Sequence, residues 1–95
     1  MHVISRKVLV EFWGRHPDSK DSLLRLYKIM IHGEFQSFGD LRITFPSADK
    51  VKELVVFNIG GNKYRLIASI HFNRGKVYIR HVLTHKEYDR REWKR

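Results

Sequence analysis

The chain has 95 residues, 42% of them hydrophobic, enough for one core and one domain spanning residues 1–95. It contains no cysteine, which excludes a disulfide framework and a thiolate metal site. Nineteen Lys and Arg against ten Asp and Glu give a net charge of +9, a cationic field that attracts polyanions and speeds their encounter.

Met1 to Ile4 predicts a short strand. Ser5 stands where it can cap a helix running to about Arg15, with Val8, Leu9, Phe12 and Trp13 on one face. His16-Pro17 ends that helix, because the residue before proline is pushed out of the helical region. Asp18 or Ser19 starts a second helix to about His32, with Leu23, Leu24, Tyr27, Met30 and Ile31 as its apolar stripe and Gly33 as its stop.

Gln36 to Lys52 reads as irregular, broken by Gly39, Pro46 and Ser47, with a short helix expected near Phe38–Leu41. Three strands follow: Glu53 to Ile59, Lys63 to Phe72 and Lys76 to Thr84, separated by turns at Gly60-Gly61-Asn62 and Asn73-Arg74-Gly75. Lys86 to Lys94 is expected to close the chain as a helix. The order predicts an α+β domain: two N-terminal helices packed on an antiparallel sheet, joined at one edge by the first strand, with a short C-terminal helix. In the second long strand Tyr64, Leu66, Ala68, Ile70 and Phe72 share the face expected to meet the helices. Lys63, Arg65, Ile67, Ser69 and His71 share the other, which reads as an open, partly cationic surface.

Residues 1–60 carry nine basic and seven acidic side chains, net +2, whereas residues 61–95 carry ten and three, net +7. That asymmetry points to nucleic acid or the ribosome as partner. No signal peptide or membrane span is readable, so a soluble, cytoplasmic protein is expected. The six histidines form no HExxH pattern, and neither a phosphate-binding loop nor a nucleophile elbow is present. What remains is a set suited to RNA: Lys63, Arg65, His71, Arg80, His81, His85, Tyr88 and Asp89. Cleavage through the 2′-hydroxyl needs a base, a stabiliser of the charged phosphorus centre and an acid, tasks within reach of His, Arg, Lys, Tyr and carboxylates. A non-catalytic RNA-binding module, with tyrosines stacking on bases, satisfies the same residue types.

Two stretches, Val56-Phe57-Asn58-Ile59-Gly60-Gly61-Asn62-Lys63-Tyr64-Arg65-Leu66 and Thr84-His85-Lys86-Glu87-Tyr88-Asp89, resemble the signature segments of the HigB family of toxins. Val3-Ile4-Ser5, Glu11-Phe12-Trp13 and His16-Pro17-Asp18 resemble that family's N-terminal part, so the similarity runs through nearly the whole chain in order. The resemblance implies a RelE-like fold, ribosome-dependent cleavage of mRNA without a cofactor or metal, and a HigA-type helix-turn-helix antitoxin. It also implies that Arg65 contacts the scissile phosphate, that Tyr88 stacks on a base or assists proton transfer, and that His85 acts as general acid. Lys63, Arg80, Arg90 and Arg91 then read as contacts to ribosomal RNA. One departure stands out: RelE itself carries lysines in the strand before Tyr-Arg-Leu, where this chain has Val56 and Asn58. The base is therefore left to His85, to a carboxylate such as Asp89, or to another group.

Overall fold

A computed structural model describes residues 1–94. Strand β1 (His2–Ile4) leads into helix α1 (Arg6–Arg15), a 3-10 turn at Pro17–Ser19 and helix α2 (Lys20–His32). Helix α3 (Phe38–Thr44) and strands β2 (Asp49–Val51), β3 (Leu54–Ile59), β4 (Tyr64–His71) and β5 (Lys76–Thr84) follow. Helix α4 (His85–Asp89) and a 3-10 turn at Glu92–Lys94 complete the described chain. The sheet order is β1-β5-β4-β3-β2. β1 runs parallel to β5 and every other pair is antiparallel, so the expected α+β architecture, with its first strand at the edge, is present.

Local chemistry explains most of these boundaries. Ser5 sits at the start of α1 in extended backbone, although its side chain makes no capping bond. Gly33 stops α2 as expected, yet in extended backbone and not in the left-handed region. A Cβ there would lie 2.7 Å from the Phe35 ring and 2.8 Å from the Ile29 carbonyl oxygen, so close approach, not torsional freedom, demands glycine. The Met1 ammonium donates to the carbonyls of Met30, Ile31 and Gly33 at 2.9, 3.3 and 2.8 Å, which ties β1 to the carbonyl end of α2.

The main core lies between the helices and one face of the sheet. Leu9, Leu23, Leu41, Leu66 and Ala68 are completely buried in it. Each such leucine contributes about 1.5–3 kcal/mol through the water-accessible area it loses. Leu26 takes a central place in the α2 stripe that the sequence spacing assigned to Leu24 and Ile31. The region 36–52 is also more ordered than expected, since α3 reaches Thr44 and β2 extends the sheet.

The second face of β4 corrects an expectation. Instead of standing open, it carries a smaller core of Val56, Ile67 and Trp93, flanked by Val51, Leu54, Leu83 and Tyr88. Trp93 reaches this face because the C-terminal segment is not one helix. α4 stops after Asp89, and Arg91 turns with φ +61° before the last 3-10 turn. The indole Nε1–H donates to the Tyr88 carbonyl at 2.9 Å, closing the strap over the sheet.

Candidate active site

The turn between β3 and β4 builds the site. Gly60 and Gly61 adopt φ +60° and +69°, backbone that side chains rarely tolerate, and so fold Asn62 back toward the start of β4. Arg65 uses that placement. Its Nη1 donates to the carbonyls of Asn62 and Tyr64 at 3.2 and 3.1 Å, and its Nη2 donates to the Asn62 Oδ1 at 3.1 Å. A guanidinium has five N–H bonds. These contacts leave Nε–H and one Nη2–H, the adjacent pair able to grip two phosphate oxygens at once.

Arg65 is only 8% exposed, unlike the residue on an open strand face that the alternation suggested. Tyr88 accounts for part of this, since the Arg65 guanidinium carbon lies 5.3 Å from its ring centre. Tyr88 in turn stacks on Trp93, with centroids 5.1 Å apart and planes 12° from parallel. Beside them opens a groove of about 340 Å³, lined by Arg42, Ser47, Asp49, Asn58, Arg65 and Tyr88 among others. Asn58 faces Arg65 directly across the β3–β4 pair.

Helix α4 is placed by a capping box. The Glu87 N–H donates to the Thr84 hydroxyl at 3.2 Å and the Thr84 N–H donates to the Glu87 carboxylate at 3.0 Å. Glu87 is held below the ordinary glutamate range, chiefly by that backbone N–H. On the same short helix, His85 Nδ1 lies 2.9 Å from Asp89 Oδ2, which directs Nε2 away from the pair. The His85 N–H donates to the Lys63 carbonyl at 3.1 Å, so this helix starts beside the first residue of the Lys63-Tyr64-Arg65 segment.

A second polar cluster braces the same end of the sheet. The Lys63 ammonium donates to Asp18 Oδ2 at 2.6 Å, and the Tyr64 hydroxyl donates to Asp18 Oδ1 at 2.7 Å. Lys63 and Tyr64 together hold the Asp18 carboxyl below its usual value, Lys63 foremost. Asp18 raises both of theirs.

Of the residues singled out from the sequence, Arg65 and Tyr88 come together, with His85 one turn away on α4. Lys63 is engaged by Asp18. Arg80 lies at the middle of β5, its guanidinium carbon 5.5 Å from the Tyr78 ring centre. Arg90 lines a separate recess with His81, Glu87, Glu92 and Trp93, and Arg91 is exposed at the break after α4. The groove residues Arg42, Ser47, Asp49 and Asn58 were missed, because α3, β2 and the turn between them deliver three of them and neither element was readable in full. Trp93 was missed too, although one large aromatic inside a run of charge is a signal that the chain returns to a core. Among the described residues, no group of three His, Cys, Asp or Glu is placed to hold a metal ion, and no helix is long and apolar enough to cross a membrane.

Fold and groove together define a small basic α+β protein with an anchored arginine at a shallow, polar groove. A family model described as the RelE-like toxic component of a toxin-antitoxin system matches residues 19–91. The chain is 41% identical over 92 residues to the mRNA interferase toxin HigB of Escherichia coli strain K12, covering 94% of this chain and 88% of that protein. It is equally similar to the mRNA interferase HigB of Shigella flexneri. Similarity to the mRNA interferase HigB of Escherichia coli O6:H1 is 31% over 93 residues, covering 95% and 90% of the two chains. The chain belongs to the HigB family of RelE-like toxins.

Proposed function

We propose that this protein is an mRNA endoribonuclease, the toxin of a toxin-antitoxin pair, acting on message held in the ribosome. The observation that carries the reading is Arg65, anchored by three hydrogen bonds and left with two adjacent N–H groups at a groove walled by Tyr88. In the reaction, a general base takes the proton of the 2′-hydroxyl, whose oxygen attacks the neighbouring phosphorus. The bond to the 5′-oxygen then breaks, and the departing oxygen is protonated, leaving a 2′,3′-cyclic phosphate. Arg65 stabilises the charge that gathers on the phosphate oxygens, the largest single contribution in such reactions. His85 supplies the proton to the 5′-oxygen from Nε2, with Asp89 holding Nδ1. Tyr88 walls the groove with its ring. No metal enters these steps.

Arg80, Arg90 and Arg91 serve as ribosomal-RNA contacts in this reading. Lys63 serves mainly the fold, since Asp18 already engages its ammonium. The antitoxin is a HigA-type helix-turn-helix protein, and the pair resides in the cytoplasm, where its substrate is translated.

The test is primer-extension mapping of mRNA ends after purified protein is added to translating ribosomes, with mRNA alone and Arg65→Lys as controls. New ends that require both the ribosome and Arg65 are expected. Ends on free mRNA would remove the ribosome from the mechanism, and none from folded protein would favour a non-catalytic RNA-binding module.

A further inference from the structure

The middle of β5, on the second sheet face, holds an arrangement that neither the fold nor the cleavage chemistry uses. The β4–β5 register shifts between Ile67, which pairs with His81, and Ala68, which pairs with Ile79. Arg80 is left as the extra residue of a bulge, a device that re-aims a side chain. Here the guanidinium carbon is brought 5.5 Å from the Tyr78 ring centre. Tyr78 also meets His71 edge to face, with centroids 5.3 Å apart at 90°. Arg80 and His71 are exposed and Tyr78 is half-buried.

The neighbouring row sharpens the point. His71 pairs with Lys76 across β4 and β5, and Lys76 pairs with His2 across β5 and β1, so three basic residues lie side by side on this face. Among the described residues no carboxylate forms an ion pair with any of them or with Arg80. Lys76, between the two imidazoles, supplies a permanent positive charge within the same row as their ring N–H groups, a set suited to a phosphate. A planar cation over an aromatic ring, with a lysine in the next row, matches a nucleobase with its phosphate better than it matches an acidic peptide.

We propose that Arg80, supported by Tyr78 and His71, is a second RNA subsite, where an unpaired nucleobase stacks on the outer face of the guanidinium and Lys76 meets its phosphate. It shares the sheet face of Arg65: Arg80 stands beside Ile67 and Ala68, two to three residues from Arg65 along β4, or roughly 7–10 Å at the rise of a strand, and Lys76 lies further out, opposite His71. The proposal rests on RNA being the ligand of this face, and it does not depend on cleavage.

The experiment is fluorescence anisotropy of wild-type protein and variants with a labelled single-stranded RNA of about eight nucleotides, across a salt series. Arg80→Lys and Tyr78→Ala are each expected to weaken binding about tenfold, the scale of one stacked base. Arg80→Lys should leave the salt slope unchanged, because the charge is kept. Thermal melts accompany both, and Arg80→Lys, at an exposed position, carries the test if Tyr78→Ala loses its fold. Wild-type affinity in Arg80→Lys would overturn the proposal, because a point charge would then suffice. So would a wild-type protein that binds no RNA. Arg80-dependent binding without new mRNA ends would sink only the nuclease reading, and cleavage with no dependence of binding on Arg80 would sink only this one.

Discussion

The guanidinium of Arg65 lies 5.3 Å from the ring centre of Tyr88, and this contact joins the two segments that carry the family resemblance. It comes from tertiary structure, since β4 supplies the cation and the helix after β5 supplies the ring. A cation over a ring contributes about 0.5–2 kcal/mol, more as the pair is desolvated, and here it also aligns the groove wall. Arg65→Lys keeps the charge but cannot reproduce three anchoring bonds and a free fork together. Cleavage should fall by about 10²–10³-fold, with stability reduced by about 1–3 kcal/mol for the acceptors left at Asn62 and Tyr64. End mapping and urea unfolding read the two effects separately. A lysine variant that cuts at the wild-type rate would remove Arg65 from the chemistry.

Tyr88 offers the structure its ring, stacked on Trp93 and set over Arg65. Tyr88→Phe should therefore retain cleavage within a few-fold, whereas Tyr88→Ala should lose most of it and shift the Trp93 fluorescence to longer wavelength. If the phenylalanine variant were as inactive as the alanine one, the hydroxyl would be the working group.

His85 and Asp89 form an exposed pair, whose value to stability is small. His85→Ala should lower the single-turnover rate by about 10²-fold with an unchanged melting temperature. Asp89→Asn should lower it less, because the amide oxygen can still accept from Nδ1. Full activity in His85→Ala would move the acid elsewhere.

Asp18 gives a pH dependence. Its carboxyl is held below the usual 3.8 by Lys63 and Tyr64, so the folded state takes up its proton less readily than the unfolded chain. The stability this confers is complete above the ordinary carboxylate value and disappears as pH falls through the lower folded value. Asp18→Asn should melt earlier than wild type at neutral pH, with the gap closing in acid. A gap that stays constant down to about pH 3 would show that the carboxylate charge is not what matters.

Gly33→Ala tests close approach without any torsional conflict. The added methyl meets the Phe35 ring and the Ile29 carbonyl, and overpacking of this kind costs about 1–3 kcal/mol. Equal denaturation midpoints for the two proteins would mean that the α2–Phe35 contact relaxes freely.

Much of this protein was determined by local sequence. The helices ending before Pro17 and at Gly33, the Gly60-Gly61 turn and the bounds of β5 follow from backbone preferences and apolar spacing, which act over a few residues. The charge loaded after residue 60 and the two signature segments likewise pointed to RNA and to the family. Tertiary structure decided the rest. Alternation assigned Arg65 to the second face but could not show that Trp93, 28 positions later, would cover that face. Nor could it show that α3, β2 and the turn between them would bring Arg42, Ser47 and Asp49 to the groove. The bulge that turns Arg80 onto Tyr78 was equally hidden, since strand period continues through it in the sequence. Contacts between residues far apart along the chain depend on which apolar surfaces find each other, and periodicity records only that such surfaces exist.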